Sequence, residues 1–563
     1  MSERLYALMG EAAADVLVST FHAYFYRILR SYYRYDQKGV LSEDERYGVI
    51  RGIISNIDED ACDAETVKDY STEISVVKNE LIDISYHNPI ALPAEMFRSV
   101  YKSYEQWKES AGRIDFDDML TGCLKLLREN PGVLLEWQNR YSHITIDEFQ
   151  DVNRTQYEII RLLADKHRNI FAVGDDDQSI YRFRGSRPEY LLNFDKDFPG
   201  AKRIVLGVNY RSTNEIIDAS AFVISHNKRR IPKDISGTGR NGVKPVLIST
   251  SSARLEAAAI AEKILLALKK ISPREIAVLY RTVNQARPLL DAFMDYGISF
   301  FIRDDAPTVY DHWITADILA YLRLAADNMN IPACERIINK PNRYIPAAVI
   351  KAAKKGTGSL LSCLYSAPNI QNWQKGKLED LLHHLKLMKK MKPYDAIEYL
   401  FTEISYGEYL KKYAEFRKMN IKNLSDLFNE IKESAYGHAT SAEFISHIEA
   451  AREKIRDDKK AKSLQDVGEE VTLSTIHGVK GLEYEAVFIA GVIDGVIPHE
   501  KSKTAADLEE ECRLLYVGCT RAKNYLFLSE IDLKLENDLH KSPYIKDMDK
   551  NLYKEEIIHE NKK

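Results

Sequence analysis

The sequence predicts an α/β fold interrupted by two helical insertions, and three observations predict it. First, short runs rich in Ile, Val and Phe each end in polar or acidic residues: SHITIDEF (142–149), NIFAVGDDDQ (169–178), AKRIVLGVNYRS (201–212), EIAVLYR (275–281), EVTLSTIHG (470–478), EAVFIAGV (485–492) and NYLFLSE (524–530). Runs of this length and composition suit buried strands of a parallel sheet. Second, helical patterns separate the runs: Ser212 or Thr213 is placed to cap a helix through His226, and residues 253–270 repeat apolar side chains at helical spacing. Third, residues from about 35 to 112 and from about 303 to 465 are charged, Tyr-rich and mostly helical in pattern, without the strand-then-acid signature, and read as inserted subdomains. Strands alternating with helices place ligands at the carboxyl ends of the strands.

Composition bounds the function. The chain has 563 residues, 45% apolar and 29% charged, so it is globular and long enough for three or four domains. With 79 Lys and Arg against 84 Asp and Glu, the net charge of −5 leaves room for a local basic groove but not for a basic footprint over the whole chain. Cys62, Cys123, Cys334, Cys363, Cys512 and Cys519 show no CxxC spacing, which argues against metal clusters or a disulfide framework and fits a cytoplasmic setting. No apolar run reaches the ~18 residues of a membrane span, and the N-terminal residues lack a signal peptide's pattern. The segment 231–245, IPKDISGTGRNGVKP, reads as a loop.

Chemistry concentrates where the runs end. Asp147 and Glu148 follow SHITI; one carboxylate of such a pair holds Mg²⁺ while the other orients water, although a solvated turn uses the same residues. The next run ends in GDDDQSIYRFRGS (174–186). There Gly174 permits a sharp turn, Gln178 offers two donors and an acceptor to a terminal phosphate, and Tyr181, Arg182, Phe183 and Arg184 interleave rings with guanidinium groups. That mixture suits stacking on bases and pairing with phosphates, and also an ordinary amphipathic turn. NYRS (209–212) carries Tyr210 and Arg211, TIHGVKGLEYEAVFI (475–489) carries Lys480 and Glu483, and EEECRLLYVGCTRAKNYLFL (509–528) carries Arg521. Isolated arginines are more often surface pairs than catalytic groups, so the order of these segments carries the weight.

In that order the sequence resembles the UvrD/Rep-type superfamily 1 DNA helicases. VSTFHAYFYRIL (18–29) is similar to motif Ia, and DFDDML (115–120) to the segment leading to motif II. IDEFQD (146–151), GDDDQSIYRFRG (174–185), NYRS (209–212), TIHGVKGLEY (475–484) and YVGCTRAK (516–523) are similar to motifs II to VI. The resemblance runs from residue 1 to about 530. It implies two RecA-like domains, each with a helical insertion: 1A over 1–35 and 113–205, 1B over 36–112, 2A over 206–302 and 466–535, 2B over 303–465, and a C-terminal tail over 536–563. It also implies ATP bound between 1A and 2A, single-stranded DNA and single-strand/duplex junctions as partners, and 3′→5′ stepping in DNA repair or replication.

Residue roles follow from the resemblance. Asp147 holds Mg²⁺, Glu148 activates water and Gln178 contacts the γ-phosphate. Arg211 and Arg521 are arginine fingers, Tyr210 stacks on adenine and Glu483 contacts the ribose. Phe21, Tyr181 and Phe183 stack on bases, with Phe183 where many relatives carry Trp. Thr20, His22, Arg184, His477 and Lys480 line the DNA path.

One family element is missing from these residues. No segment satisfies GxxxxGK[ST], the loop whose amides cradle phosphates; GTGRNGVK (237–244) and KKGTGSLL (354–361) fail the spacing. Motif Ia begins about 18 residues from Met1, so by the resemblance the chain is expected to start inside domain 1A, without the central strand that precedes the loop. Open backbone and apolar surface in 1A are expected, together with a loss of at least ~4–7 kcal/mol of barrier lowering. The polypeptide is then expected to hydrolyse ATP poorly. Three accounts stay open: an N-terminally truncated helicase, a shortened remnant, or a single-stranded DNA-binding protein without motor activity.

Overall fold

The computed structural model describes residues 2–33, 39–57, 64–89, 92–303, 309–417, 421–464, 468–531 and 541–559. Cys62 and the expected boundaries at 35–36, 465–466 and 535–536 lie outside the described residues. The chain forms two compact units. Unit one is Met1–Gly207 with Ile224–Asp234 and Thr504–Leu514; unit two is Val208–Val223, Ile235–Lys503 and Leu515–Lys563. Two segments expected in the second domain thus pack with the first, for reasons that lie in side chains: Asn227 Nδ2 donates to Glu509 O at 2.8 Å, and Arg513 Nε donates to Ser179 O at 2.9 Å.

In unit one, helices α1 (Ser2–Met9) and α2 (Phe21–Tyr32) precede an insertion of α3 (Glu43–Ile57), α4 (Ala64–Asn79) and α5 (Ala94–Ala111). α6 (Phe116–Glu129), α7 (Pro131–Arg140) and α8 (Arg154–Ala164) follow, with strands β1 (Ile144–Ile146) and β2 (Ile170–Ala172). The apolar face of α2 (Phe25, Ile28, Leu29) packs on Leu120, Leu124 and Trp137, while the insertion closes a separate core around Ile54, Tyr70, Phe97 and Tyr104.

β1 and β2 pair parallel, Ile144 opposite Ile170, and no third strand joins them among the described residues. Phe171 is consequently 59% exposed and Val173 is exposed. The strand expected over 201–212 forms only at Val208–Asn209 (β3), which pairs with Ser236–Gly237 (β4). Ile204 and Leu206, expected to be buried, are 76% and 81% exposed. Apolar composition does not make a strand without a ladder partner, because unpaired backbone prefers water.

Unit two holds a seven-stranded parallel sheet, order β11–β5–β10–β9–β6–β8–β7. Its strands are β5 (Val246–Thr250), β6 (Ile276–Tyr280), β7 (Phe300–Ile302), β8 (Val471–Thr475), β9 (Tyr484–Ile489), β10 (Ala522–Ile531) and β11 (Lys554–Ile558). β6 is buried at every position, as a central parallel strand covered on both faces must be. The segment expected as a tail supplies β11, with Lys554 opposite Val246 of β5. The second insertion runs between β7 and β8 and is helical from Trp313–Ala326 to Ser441–Leu464, sharing one apolar core with the sheet. The helix expected to start at Ser212 or Thr213 and reach His226 is Asn214–Ile224. Thr213 precedes its first turn, its carbonyl accepting from the Ile217 amide at 3.1 Å, while the Ser212 hydroxyl donates to Ala522 O at 2.6 Å.

Candidate active site

In unit one the acidic pair leaves the carboxyl end of β1. Asp147 and Glu148 are both exposed, and the Glu148 amide donates to Asp147 Oδ1 at 3.0 Å. Glu148 has φ +51°, the left-handed region that non-glycine residues rarely occupy and that clusters at functional sites. Gln150, completely buried, explains how this turn is held. Its Nε2 donates to Glu148 Oε2 at 2.5 Å, and its Oε1 accepts from the Asp175 amide at 3.0 Å. Asp175 Oδ2 in turn accepts from Gln178 Nε2 at 2.8 Å. One hydrogen-bonded chain therefore links Glu148 to Gln178.

Lys233 closes the chain from the far side. Its ammonium pairs with Asp175, with Asp176 at 2.5 Å and with Asp177 at 3.1 Å, while Arg230 grips Asp177 through two bonds of 2.9 and 2.6 Å. Burial pushes the Asp175 carboxyl up, but Lys233 and the Gln178 amide win and hold it below the ordinary value; Asp176 is pushed up by burial. This acidic run is thus satisfied by cations of the protein and is not a vacant cation site. Sequence reasoning missed Gln150, although it lies inside IDEFQD, and missed Arg230 and Lys233, which stand in a loop with no motif to mark them.

Gly174 is needed for a reason other than a sharp turn. A Cβ there would stand 2.5 Å from Gln150 Oε1 and 3.2 Å from the amides of Phe149 and Gln150. Gly174→Ala is expected to displace Gln150 and to cost about 1–3 kcal/mol, measured as a lower urea midpoint at unchanged slope. An unchanged midpoint would show that the turn yields freely.

The aromatic segment forms a compact platform. Arg184 Cζ lies 5.5 Å from the Tyr181 ring centroid and 5.4 Å from that of Phe183, whose rings are 6.1 Å apart, and Phe183 is half exposed. Gly185 ends the turn at φ +85°. On α2, Thr20 is the N-cap, its Oγ1 accepting from the Ala23 amide at 3.3 Å; Phe21 stacks on Phe25 at 5.6 Å. His22 meets Phe116 edge to face at 6.1 Å. Burial lowers the His22 pKa and the Asp117 charge pulls it partly back. Phe116, half exposed at the first position of α6, is a ring that sequence reasoning did not select although it lies within DFDDML.

Unit two assembles a second group. Arg211 Nε donates to Glu483 Oε2 at 2.7 Å, and its Nη1 donates to Thr520 O at 3.2 Å. Glu483, held below its ordinary pKa first by the Arg211 hydrogen bond, also pairs with Lys523 at 3.4 Å. Arg521 is 2% exposed; Nε donates to Val517 O at 3.0 Å and Nη1 to Leu482 O at 3.2 Å. Arg211, Glu483 and Arg521 thus share one neighbourhood, while Tyr210 beside them is 79% exposed. His477 and Lys480 lie on and just after the turn that follows β8, which Thr475 caps by accepting from the Gly478 amide at 3.3 Å.

Two family models match the chain: the UvrD/REP helicase N-terminal domain over residues 1–199 and the UvrD-like helicase C-terminal domain over residues 204–532. The chain belongs to the UvrD/Rep family of ATP-dependent DNA helicases, and its α/β units are RecA-like domains with helical insertions. The putative ATP-dependent DNA helicase YjcD of Bacillus subtilis is 33% identical over 552 residues, covering 94% of this chain and 70% of the relative. The ATP-dependent DNA helicase PcrA of Bacillus subtilis is 32% identical over 562 residues, covering 95% and 75%. Rep of Buchnera aphidicola is 32% identical over 448 residues, covering 77% and 69%. No helix among the described residues is long and apolar enough to cross a membrane.

Proposed function

We propose that the chain is the core of a 3′→5′ helicase that couples ATP hydrolysis to stepping on single-stranded DNA and to opening single-strand/duplex junctions, in DNA repair or replication in the cytoplasm. The observation that supports it best is the hydrogen-bonded chain from Glu148 through Gln150 and Asp175 to Gln178, which holds a base and a phosphate-sensing amide in one frame. Glu148 takes the proton of the attacking water, and Gln178 reads the γ-phosphate. The exposed Asp147 carboxylate, an oxygen donor at a strand end, fits Mg²⁺, which when bound would neutralise phosphate charge. Tyr210 stacks on adenine and Glu483 takes the ribose, which frees Arg211 to act with Arg521 on the transferring phosphoryl group, each such arginine supplying ~10³–10⁵ in rate. Phe21, Tyr181, Phe183 and Phe116 stack on bases; Thr20, His22, Arg184, His477 and Lys480 contact the strand.

A second reading is favoured by two observations: no GxxxxGK[ST] segment occurs in the 563 residues, and β2 has a free edge among the described residues. A polypeptide of these residues alone then binds single-stranded DNA without turning over ATP. Steady-state phosphate release with and without oligo-dT tests both. The expected result is DNA binding whose affinity falls with salt, and no DNA-stimulated hydrolysis. Clear stimulation would remove the second reading; absence of DNA binding would remove both.

A further inference from the structure

We propose that the buried ion-pair network joining the first turn of α6 to α3, α4 and α5 is a positioning device for single-stranded DNA, fixing where Phe116 stands beside His22 so that the helical insertion sets the stacking geometry of that face. The proposal rests on the reading, given above, that the face formed by α2 and the start of α6 binds single-stranded DNA.

Three of the four residues that open α6 are acidic, and the insertion holds all three. Asp115 caps the helix in a capping box with Asp118. Lys78 of α4 meets Asp118 at 2.5 Å and Asp115 at 3.3 Å, and Lys108 of α5 meets the same two carboxylates at 2.6 and 3.2 Å. Tyr104 Oη donates to Asp115 Oδ2 at 3.0 Å. The third carboxylate, Asp117, accepts from Arg46 Nη1 of α3 at 2.8 Å, from Ser75 Oγ at 2.7 Å and from Asn79 Nδ2 at 3.1 Å. The other Arg46 nitrogen donates to Ser71 O at 2.8 Å and Ser75 Oγ at 3.0 Å. Asn79 Oδ1 accepts from Asn153 Nδ2 at 3.2 Å, and Asn153 caps α8 two residues after the IDEFQD motif.

Both lysines are buried to within a few per cent, so the carboxylates of Glu105, Asp115 and Asp118 enclose protein ammonium groups and leave no vacant cation site. Buried ion pairs contribute little net stability over apolar residues of equal volume, whereas each of these bonds has a direction. Together they fix the azimuth and height of a single helical turn. The one residue of that turn turned to solvent is Phe116, between Asp115 and Asp117, and its neighbour across the gap is His22. A stacking ring displaced by an ångström loses overlap with a base, so a rigid frame here controls affinity through geometry.

The test uses the 563-residue chain, a dT oligonucleotide and an abasic oligonucleotide of the same length, with affinities read by fluorescence anisotropy at fixed salt and melting temperatures recorded alongside. Phe116→Ala is expected to weaken dT binding roughly 5- to 150-fold and to leave abasic binding unchanged. Asp117→Ala is expected to lower the ratio of dT to abasic affinity in the same way, and Phe116→Ala on top of it to add little. Asp117→Asn, which still accepts from Arg46, is expected to restore most of the ratio. Should Asp117→Ala not fold, Arg46→Lys, which loses the guanidinium fork, takes its place. Variants that melt lower but keep the wild-type ratio overturn the positioning role. An unchanged dT affinity in Phe116→Ala overturns the underlying reading of the face instead.

Discussion

Replacing Lys108 by methionine is expected to destabilise unit one by about 3–5 kcal/mol, the cost of stranding buried carboxylates when one partner is removed. The stem length is kept, so the loss is electrostatic rather than steric. Asp115, 1% exposed, and Asp118 would keep Lys78 as their one ammonium partner beside the Tyr104 hydroxyl and the capping-box amides. For a unit of about 200 residues this lowers the thermal midpoint by roughly 6–20 °C. Adding Asp115→Asn is expected to recover part of the loss, because the two groups interact directly. A midpoint shift under about 2 °C would mean that solvent reaches the network.

The same network gives a pH dependence whose sign is fixed. Burial raises the Asp115 pKa, but the Lys78 and Lys108 ammonium groups and the Arg46 guanidinium outweigh it and hold the carboxyl well below the ordinary value. A group whose folded pKa is depressed stabilises above its unfolded pKa of about 3.9, and that contribution is lost as the pH falls through the folded value. Lys108→Met is therefore expected to flatten the acid limb of the stability profile below about pH 4 while leaving the profile near neutrality parallel to wild type.

Joining a β-strand and a GxxxxGK[ST] loop ahead of Ser2 is expected to raise DNA-stimulated ATP turnover by at least ~10³-fold, if the loop's amides and lysine matter as much as one arginine finger. The structural ground for the fusion is the edge of β2 that no strand joins among the described residues, with Phe171 and Val173 exposed, and the exposed apolar side chains of Ile204 and Leu206. Insertion of a strand there is expected to slow amide exchange at Ala172, whose neighbour Val173 already donates to Ile146 O on the β1 side. In the fused protein Arg521→Ala is expected to cancel the gain, since Arg521 stands with Arg211 and Glu483. A fusion that protects the edge yet leaves turnover unchanged would sink the assigned roles of Glu148 and Gln178 while sparing the fold. Protection without Arg521 dependence would sink only the finger.

Much of the candidate site was legible from short segments. Asp147, Glu148, Gln178, Arg211, Glu483 and Arg521 stand in ordered motifs, and motif chemistry depends on neighbours a few residues apart, which sequence displays directly. Strand-length runs marked much of the second sheet for the same reason: β6 is apolar at every position and β9 at every position but Glu485, while β8 alternates Val471 and Leu473 with Thr472 and Ser474.

What the sequence alone determined is the family of segments, their order, the α/β class and the two helical interruptions. What only the tertiary structure decided is which distant groups meet. Lys233 and Arg230 reach the Asp175–Asp177 run from more than 50 residues away, and Lys78 reaches Asp115 and Asp118 from 37 and 40 residues away. The run around Ile204 shows the converse, an apolar segment that forms no strand because no ladder partner adjoins it among the described residues, while the unremarkable residues 554–558 become β11 because β5 offers them an edge. Hydrophobic periodicity is a property of the chain; a hydrogen-bond ladder or a buried ion pair is a property of two places in space, and only folding brings those two places together.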